Sequence, residues 1–464
     1  MKTYEACRRD FPSFCYESFS CEEEPEVLRV TYHFDIPGLA SFSPAWTFPK
    51  PDRAPARPED DETLRNMLFS LGMVELISYW KIACPPKVIV RAGALTEEQI
   101  RWWKKLYFLG LGEFFYTNNI DADSDTFMEI CAEGPAFSGT RQAPEKRNGC
   151  LIPVGGGKDS ACTLELLKKS GLPLKTYMIN PRGASLNTVK AAGFTPADRL
   201  AAGRTLDARM LELNREGYLN GHTPFSALVA FSSLIVAYLH GLKYIALSNE
   251  SSANESTVAG SKVNHQYSKS FEFERDFHEY EERHIGSGVY YFSMLRPLSE
   301  FQIAEYFSRL TAYHNIFRSC NVGSKKDIWC GHCPKCLFVF LILSPFLSHA
   351  RLCEIFGTDM LEDPAMLEDF RKLTGLAAEK PFECVGSRDE VNAAICLTIE
   401  QMEASGESLP RLLAWYREQP LYAASFPQRH AFERRYDPTH LLPPAFLKIL
   451  TDECYGGELP CCAD

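Results

Sequence analysis

The run Val154-Gly155-Gly156-Gly157-Lys158-Asp159-Ser160 constrains this chain most, because a short apolar segment, Cys150 to Val154, leads into it and a helically spaced segment, Ser160 to Lys169, leads out. A strand that ends in glycines and opens a helix gathers backbone N–H groups at a positive helix end, an arrangement suited to a pyrophosphate. The glycines let the backbone approach phosphate oxygens, Lys158 adds positive charge, and Ser160 offers a hydroxyl donor. The run is not a Walker A loop, since Gly157-Lys158 is followed by Asp159 rather than Ser or Thr, and it is not a dinucleotide fingerprint. A bare glycine cluster is more often a plain connection, but here strand, loop, Lys-Asp-Ser and helix agree. The prediction is a pyrophosphate-binding loop that takes up ATP.

The flanking pattern predicts an α/β protein in three parts. Alternation at Leu28, Val30, Tyr32 and Phe34 predicts a half-buried strand. A proline-rich segment from Pro49 to Pro58 precedes a helix from Asp61 to Ala83, then come a strand at Lys87 to Arg91 and a helix from Thr96. These form an N-terminal α+β unit at residues 1–145. Short apolar runs at Cys150 to Val154, Leu174 to Ile179, Tyr244 to Ser248 and Val289 to Ser293 alternate with helical spacing, notably Pro224 to His240, as a parallel sheet requires. They define a nucleotide-binding domain at 146–345, followed by a helical region at 346–464. At 464 residues the chain exceeds one ordinary core. A net charge of −11 leaves no basic footprint for nucleic acid, and no apolar run is long enough to span a membrane. The charged opening Met1 to Asp10 lacks the apolar centre of an export signal, so the expected location is the cytoplasm.

Seventeen cysteines, an odd number scattered over the chain, argue against a disulfide framework. Four of them, Cys320, Cys330, Cys333 and Cys336, form C-x9-C-x2-C-x2-C with Gly331 and Pro334 to turn the backbone. Four thiolates suit a tetrahedral Zn²⁺ with no open position, hence a structural role. An iron–sulfur cluster uses the same ligands and stays open as an alternative, as do plain buried thiols.

The glycine loop resembles the SGGxDS signature of the PP-loop ATP pyrophosphatases, with Val154 in place of serine, and a similar cysteine arrangement follows the core of the cyano-deazaguanine synthases. Further segments carry a fuller resemblance: Asn220 to Pro224, Ser248 to Ser251, Val263 to Phe273, Leu295 to Glu300, Lys380 to Gly386, and Ile77 to Lys81. Together with the loop and the cysteines they resemble the MurL family of ATP-dependent UDP-N-acetyl-α-D-muramoyl-L-alanyl-L-glutamate epimerases. The resemblance implies a PP-loop parallel sheet, Mg²⁺-ATP as co-substrate, and UDP-MurNAc-L-Ala-L-Glu as small-molecule partner. Its chemistry is coherent. A carboxylate resists loss of the adjacent α-proton, and adenylation removes its charge so that a base and an acid can exchange that proton before water releases AMP.

On this reading Gly155, Gly156, Gly157, Lys158, Asp159, Ser160 and Asn249 bind the nucleotide, with Asp159 holding the metal or orienting phosphates. Asn220, Tyr267 and Arg296 bind substrate. The proton-transfer candidates are His265, then His222 and Lys269, since imidazole titrates near neutrality whereas lysine needs burial or a cationic neighbour to do so. Cys162, just beyond the loop, is expected to be a packing residue. Other PP-loop chemistry (an amide- or nitrile-forming ligase, a tRNA sulfurtransferase) and a non-catalytic nucleotide sensor remain open alternatives.

Overall fold

Strand after strand in this protein places successive side chains in two different cores, and that alternation sets the architecture. In the computed structural model, which describes residues 2–51, 61–137, 147–254, 267–381 and 383–460, the strands are β1 Ser13–Glu23, β2 Val27–Ile36, β3 Ala40–Phe42, β4 Ala45–Pro49, β5 Lys87–Val90, β6 Glu129–Ala132, β7 Cys150–Pro153, β8 Leu174–Ile179, β9 Arg199–Thr205, β10 Tyr244–Leu247 and β11 Tyr290–Ser293. His265 and residues 52–60 of the proline-rich segment lie outside the described residues. Leu151, Tyr177, Ile245 and Tyr291 enter one core, while Cys150, Ile152, Met178, Ala246 and Phe292 enter the other. A parallel sheet covered on both faces requires such a distribution, because each strand buries both of its sides.

The eleven strands form one mixed α/β sheet in the order β11-β10-β7-β8-β9-β4-β2-β1-β5-β6, with β3 added to β2. Strands β11 through β9 are mutually parallel. The join to the N-terminal strands is antiparallel, Ala45 opposite Thr205 and Thr47 opposite Gly203. Gly203 permits the close approach there: its N–H donates to Thr47 Oγ1 at 3.2 Å, in the space a Cβ would fill. The join is also fastened from one face by a buried ion pair. Arg204 reaches Glu75 Oε1 at 2.7 Å and Oε2 at 2.9 Å, and Trp46 Nε1 donates to the same carboxylate at 3.0 Å.

Helices Glu62–Trp80, Glu97–Gly110 and Phe225–Leu239 pack on the first face, the last being apolar nearly all round and correspondingly buried. Their starts follow local chemistry, with Asp61 capping Leu64 N–H and Thr96 forming a capping box with Gln99. Helices Lys158–Leu167, Glu300–Ser308, Pro334–Leu343 and Arg388–Ser405 cover the second face. Cys162 packs there, its buried thiol directed at the Ile303 carbonyl. No helix among the described residues is long and apolar enough to cross a membrane.

Candidate active site

Strand β7 lies between β8 and β10, so the chain leaves it toward one side and returns on the other. At such a switch point the loops beyond the strand ends diverge and leave a crevice, the usual ligand position in an open α/β sheet. The glycine loop opens at this point. Gly156 has φ +92°, and a Cβ on it would stand 2.7 Å from the backbone of Ala184 and Ser185. Its carbonyl accepts from Arg318 N–H at 2.9 Å. Ser160 Oγ accepts from Gly156 N–H at 3.2 Å and donates to the Gly157 carbonyl at 3.0 Å, so this hydroxyl holds the loop's curvature. Above Gly155 there is no atom within 4 Å of where a Cβ would stand, which leaves the outer face of the loop open to a phosphate.

Under the loop lies a dense set of buried charges. Lys158 is paired with both Asp159 and Glu300. Burial alone would lower its pKa, but these two carboxylates outweigh it and hold the ammonium protonated. Burial acts against the Asp159 carboxylate as well, yet Lys158, then Lys335 and Lys269, keep its pKa below the usual value. Glu300 is pushed up to about 8 by burial, opposed by Lys158 and reinforced by Asp159 and Glu250. The backbone N–H of Glu300 donates to Glu390 Oε1 at 2.7 Å, and Glu390 Oε2 accepts from Ser387 N–H and Oγ–H. Lys269 Nζ donates to Cys384 Sγ at 3.1 Å, and Lys335 binds the Cys384 carbonyl. Strongly shifted groups crowded into a crevice are characteristic of a site built for charged reactants. Cations and carboxylates at this density suit a triphosphate with its divalent metal, which would compete for the same pairs.

The structure brings together Gly155, Gly156, Gly157, Lys158, Asp159, Ser160 and Lys269, and adds Glu250, Glu300, Lys335, Cys384 and Glu390. Glu250, Glu300 and Cys384 sit in segments that carried the family resemblance, but a role for each needs the neighbours that folding supplies. Asn249 follows β10 and donates through Nδ2 to Ser293 Oγ at 3.1 Å. Arg296 is fully buried; it binds Glu274 Oε2 at 2.8 Å, the Glu250 carbonyl at 2.5 Å and the Lys269 carbonyl at 2.6 Å. These contacts hold the backbones of two site residues, a positioning task in place of the expected substrate clamp. Tyr267 is buried against Phe273 in the first core.

His222 and Asn220 belong to a second polar cluster. His222 Nδ1 lies 3.3 Å from Glu113 Oε2, and Asn118 Nδ2 donates to the Asn220 carbonyl at 3.1 Å. Lys81, at the end of the Ile77 to Lys81 segment, binds the Gly221 carbonyl and donates to Thr223 Oγ1 at 2.9 Å. Burial, then the nearby Arg204, lowers its pKa to about 8. Tyr116 on the helix Gly112–Thr117, which also carries Glu113, donates to Glu379 Oε1 at 2.5 Å and so links this cluster to the segment bearing Cys384.

The four cysteines converge. Sγ of Cys320 is 3.8 Å from that of Cys333, Cys336 is 3.7 Å from Cys330 and 3.5 Å from Cys333, and all four sulfurs lie within 4.8 Å of one another. A tetrahedron with metal–sulfur bonds of ~2.3 Å has edges of about 3.8 Å, so one ion fits the donor set. An iron–sulfur cube, with its body between the thiolates, would spread them further. The segment that carries them also shapes the site: Arg318 binds Gly156, Asp327 Oδ1 accepts from Ala184 N–H at 2.8 Å, and Lys335 lies between Cys333 and Cys336.

Residues 5–294 match the MurL N-terminal domain and residues 316–421 the MurL C-terminal domain. The chain is 36% identical over 405 residues to the UDP-N-acetyl-alpha-D-muramoyl-L-alanyl-L-glutamate epimerase of Salinispora tropica, covering 85% of this chain and 86% of that one. It is 33% identical to the protein of that name from a Micromonospora species (95% and 98% covered) and 35% identical to that of Xanthomonas oryzae pv. oryzae (73% and 76% covered). No solved structure matches. Two domain matches in sequence order, with relatives at this identity over most of their length, establish that the chain belongs to the MurL family.

Proposed function

We propose that this MurL-family epimerase inverts the terminal glutamate of UDP-MurNAc-L-Ala-L-Glu, in the making of peptidoglycan precursors, by first joining the glutamate carboxylate to AMP at the glycine loop. The observation that carries this reading is the open loop at the strand switch point, with Lys158 and Glu300 buried beneath it and Asp159 paired to Lys158 at its partly exposed edge. Loop N–H groups and Lys158 take up charge on the departing pyrophosphate, stabilisation of the kind that preorganised donors provide. Asp159 and Glu300 would hold Mg²⁺, which would neutralise phosphate charge. Once the glutamate α-carboxylate is joined to AMP as an acyl phosphate anhydride, its α-proton is acidic enough for a side chain to remove. Lys269 stands at the loop to take part in that proton exchange; His222 lies in the neighbouring cluster, and His265 falls outside the described residues. The four cysteines would hold a structural Zn²⁺ and so fix the segment bearing Arg318 and Lys335. ATP supply keeps the reaction in the cytoplasm.

Asp159→Asn tests the reading. With Mg²⁺-ATP and UDP-MurNAc-L-Ala-L-Glu, its release of pyrophosphate is expected to fall by about 100-fold or more, and D-glutamate recovered after acid hydrolysis to fall with it. Wild-type formation of D-glutamate without ATP consumption would sink the proposal.

A further inference from the structure

The thiol of Cys384 is held among cations at the mouth of the loop. Lys269 Nζ is 3.1 Å from Sγ, Lys335 binds the carbonyl of the same residue, and both lysines act on Asp159. Gly386, two residues on, abuts the side chains of Glu300 and Glu390, which fixes the Cys384 segment against the floor of the site. Asn321 binds Glu383 from the cysteine-cluster side, and Tyr116 binds Glu379 from the N-terminal side, so the segment is tethered at several points. A cysteine flanked by ammonium groups favours the thiolate, the form that accepts a proton. Cys384 also raises the Lys269 pKa, which keeps Lys269 an ammonium beside the sulfur.

Resting on the adenylation reading above, we propose that Cys384 and Lys269 are the base and acid of the epimerisation, with the activated glutamate α-carbon entering between them. The Cys384 thiolate takes the α-proton: the C–H bond breaks, an S–H bond forms, and the electron pair passes into the acyl carbonyl. The Lys269 ammonium returns a proton to the opposite face, leaving Lys269 as the amine. Water then cleaves the acyl phosphate, releasing AMP and the D-glutamyl product. When the product leaves, thiol and amine regain their 3.1 Å contact, and the proton passes from sulfur to nitrogen, restoring the starting pair. No external acid, base or oxidant is required. The close contact in the free enzyme is the path by which the two groups reset.

The test is an incubation in D₂O with Mg²⁺-ATP and UDP-MurNAc-L-Ala-L-Glu, following pyrophosphate, glutamate configuration and α-deuterium separately. Cys384→Ala is expected to keep releasing pyrophosphate while D-glutamate formation drops by about 100-fold or more, and its recovered L-glutamate stays free of deuterium. Lys269→Gln retains the base, so deuterium enters recovered L-glutamate without inversion. A role limited to packing predicts no such difference between the two variants. Cys384→Ser, which preserves the size of the side chain, is expected to behave as Cys384→Ala. Inversion at the wild-type rate in Cys384→Ala, the same deuterium pattern in both positions' variants, or loss of pyrophosphate release from both Cys384 variants overturns the assignment. Absence of pyrophosphate from the wild-type protein would instead overturn the adenylation reading.

Discussion

Three lysines show how far environment sets the behaviour of one residue type. Lys158, buried beside two carboxylates, and Lys269, partly buried beside a thiol, are held protonated. Lys81 is also buried, but Arg204 adds to the desolvation and its neighbours Glu113 and Cys84 compensate only in part. Its pKa of about 8 in the folded protein, against 10.5 in an exposed chain, means that between these values the unfolded state binds the extra proton. Its contribution to stability is therefore complete above pH 10.5 and lost as pH falls through about 8. Relative to Lys81→Met, wild-type unfolding free energy is expected to rise by up to about 1.4 kcal/mol per pH unit across that window. Urea melts at several pH values check this, and a flat difference would contradict the assigned shift. None of this is legible at position 81 in the sequence, because Arg204 and Glu113 reach it only through the fold.

Among the elements, the segments written most plainly in the sequence were those whose own residues decide the outcome. β8 spans Leu174–Ile179 as expected, and the helix expected from Thr96 begins at Glu97 with Thr96 as its cap. β9, by contrast, is Arg-Leu-Ala-Ala-Gly-Arg-Thr, with little strand propensity, and pairing to β8 and β4 makes it a strand. The glycine loop separates two roles that look alike in sequence. Gly156→Ala requires both a left-handed backbone and space occupied by the Ala184–Ser185 backbone, so a loss of roughly 1–3 kcal/mol in stability is expected. Gly155→Ala meets open space and is expected to melt with the wild type while releasing less pyrophosphate, since its methyl group covers the phosphate face. Thermal melts of the two variants, beside their pyrophosphate release, distinguish the cases.

At the scale of the molecule, one sheet and one cysteine-bearing segment join distant parts of the chain around the site. The β4–β9 pairing crosses the expected division near residue 145, and the Glu75–Arg204 pair fastens it. The cysteine segment touches the loop on one side and supplies Lys335 on the other. Elemental analysis is expected to find one zinc per chain and no visible-range iron–sulfur absorption. Chelation is expected to lower both the melting temperature and pyrophosphate release, since it frees the contacts of Arg318 and Lys335; a metal-free protein of unchanged stability would refute the structural role. The sequence by itself determined the glycine loop between strand and helix, the spacing of the four cysteines, the α/β alternation and the family resemblance, because each depends on residues near one another in the chain. Only the tertiary structure decided that Arg296 is a buried brace, that His222 belongs with Lys81 and Glu113, and that Cys384 meets Lys269 across 115 positions of chain. Burial and charge pairing are properties of neighbours in space, and they determine which ionisable side chains can do chemistry.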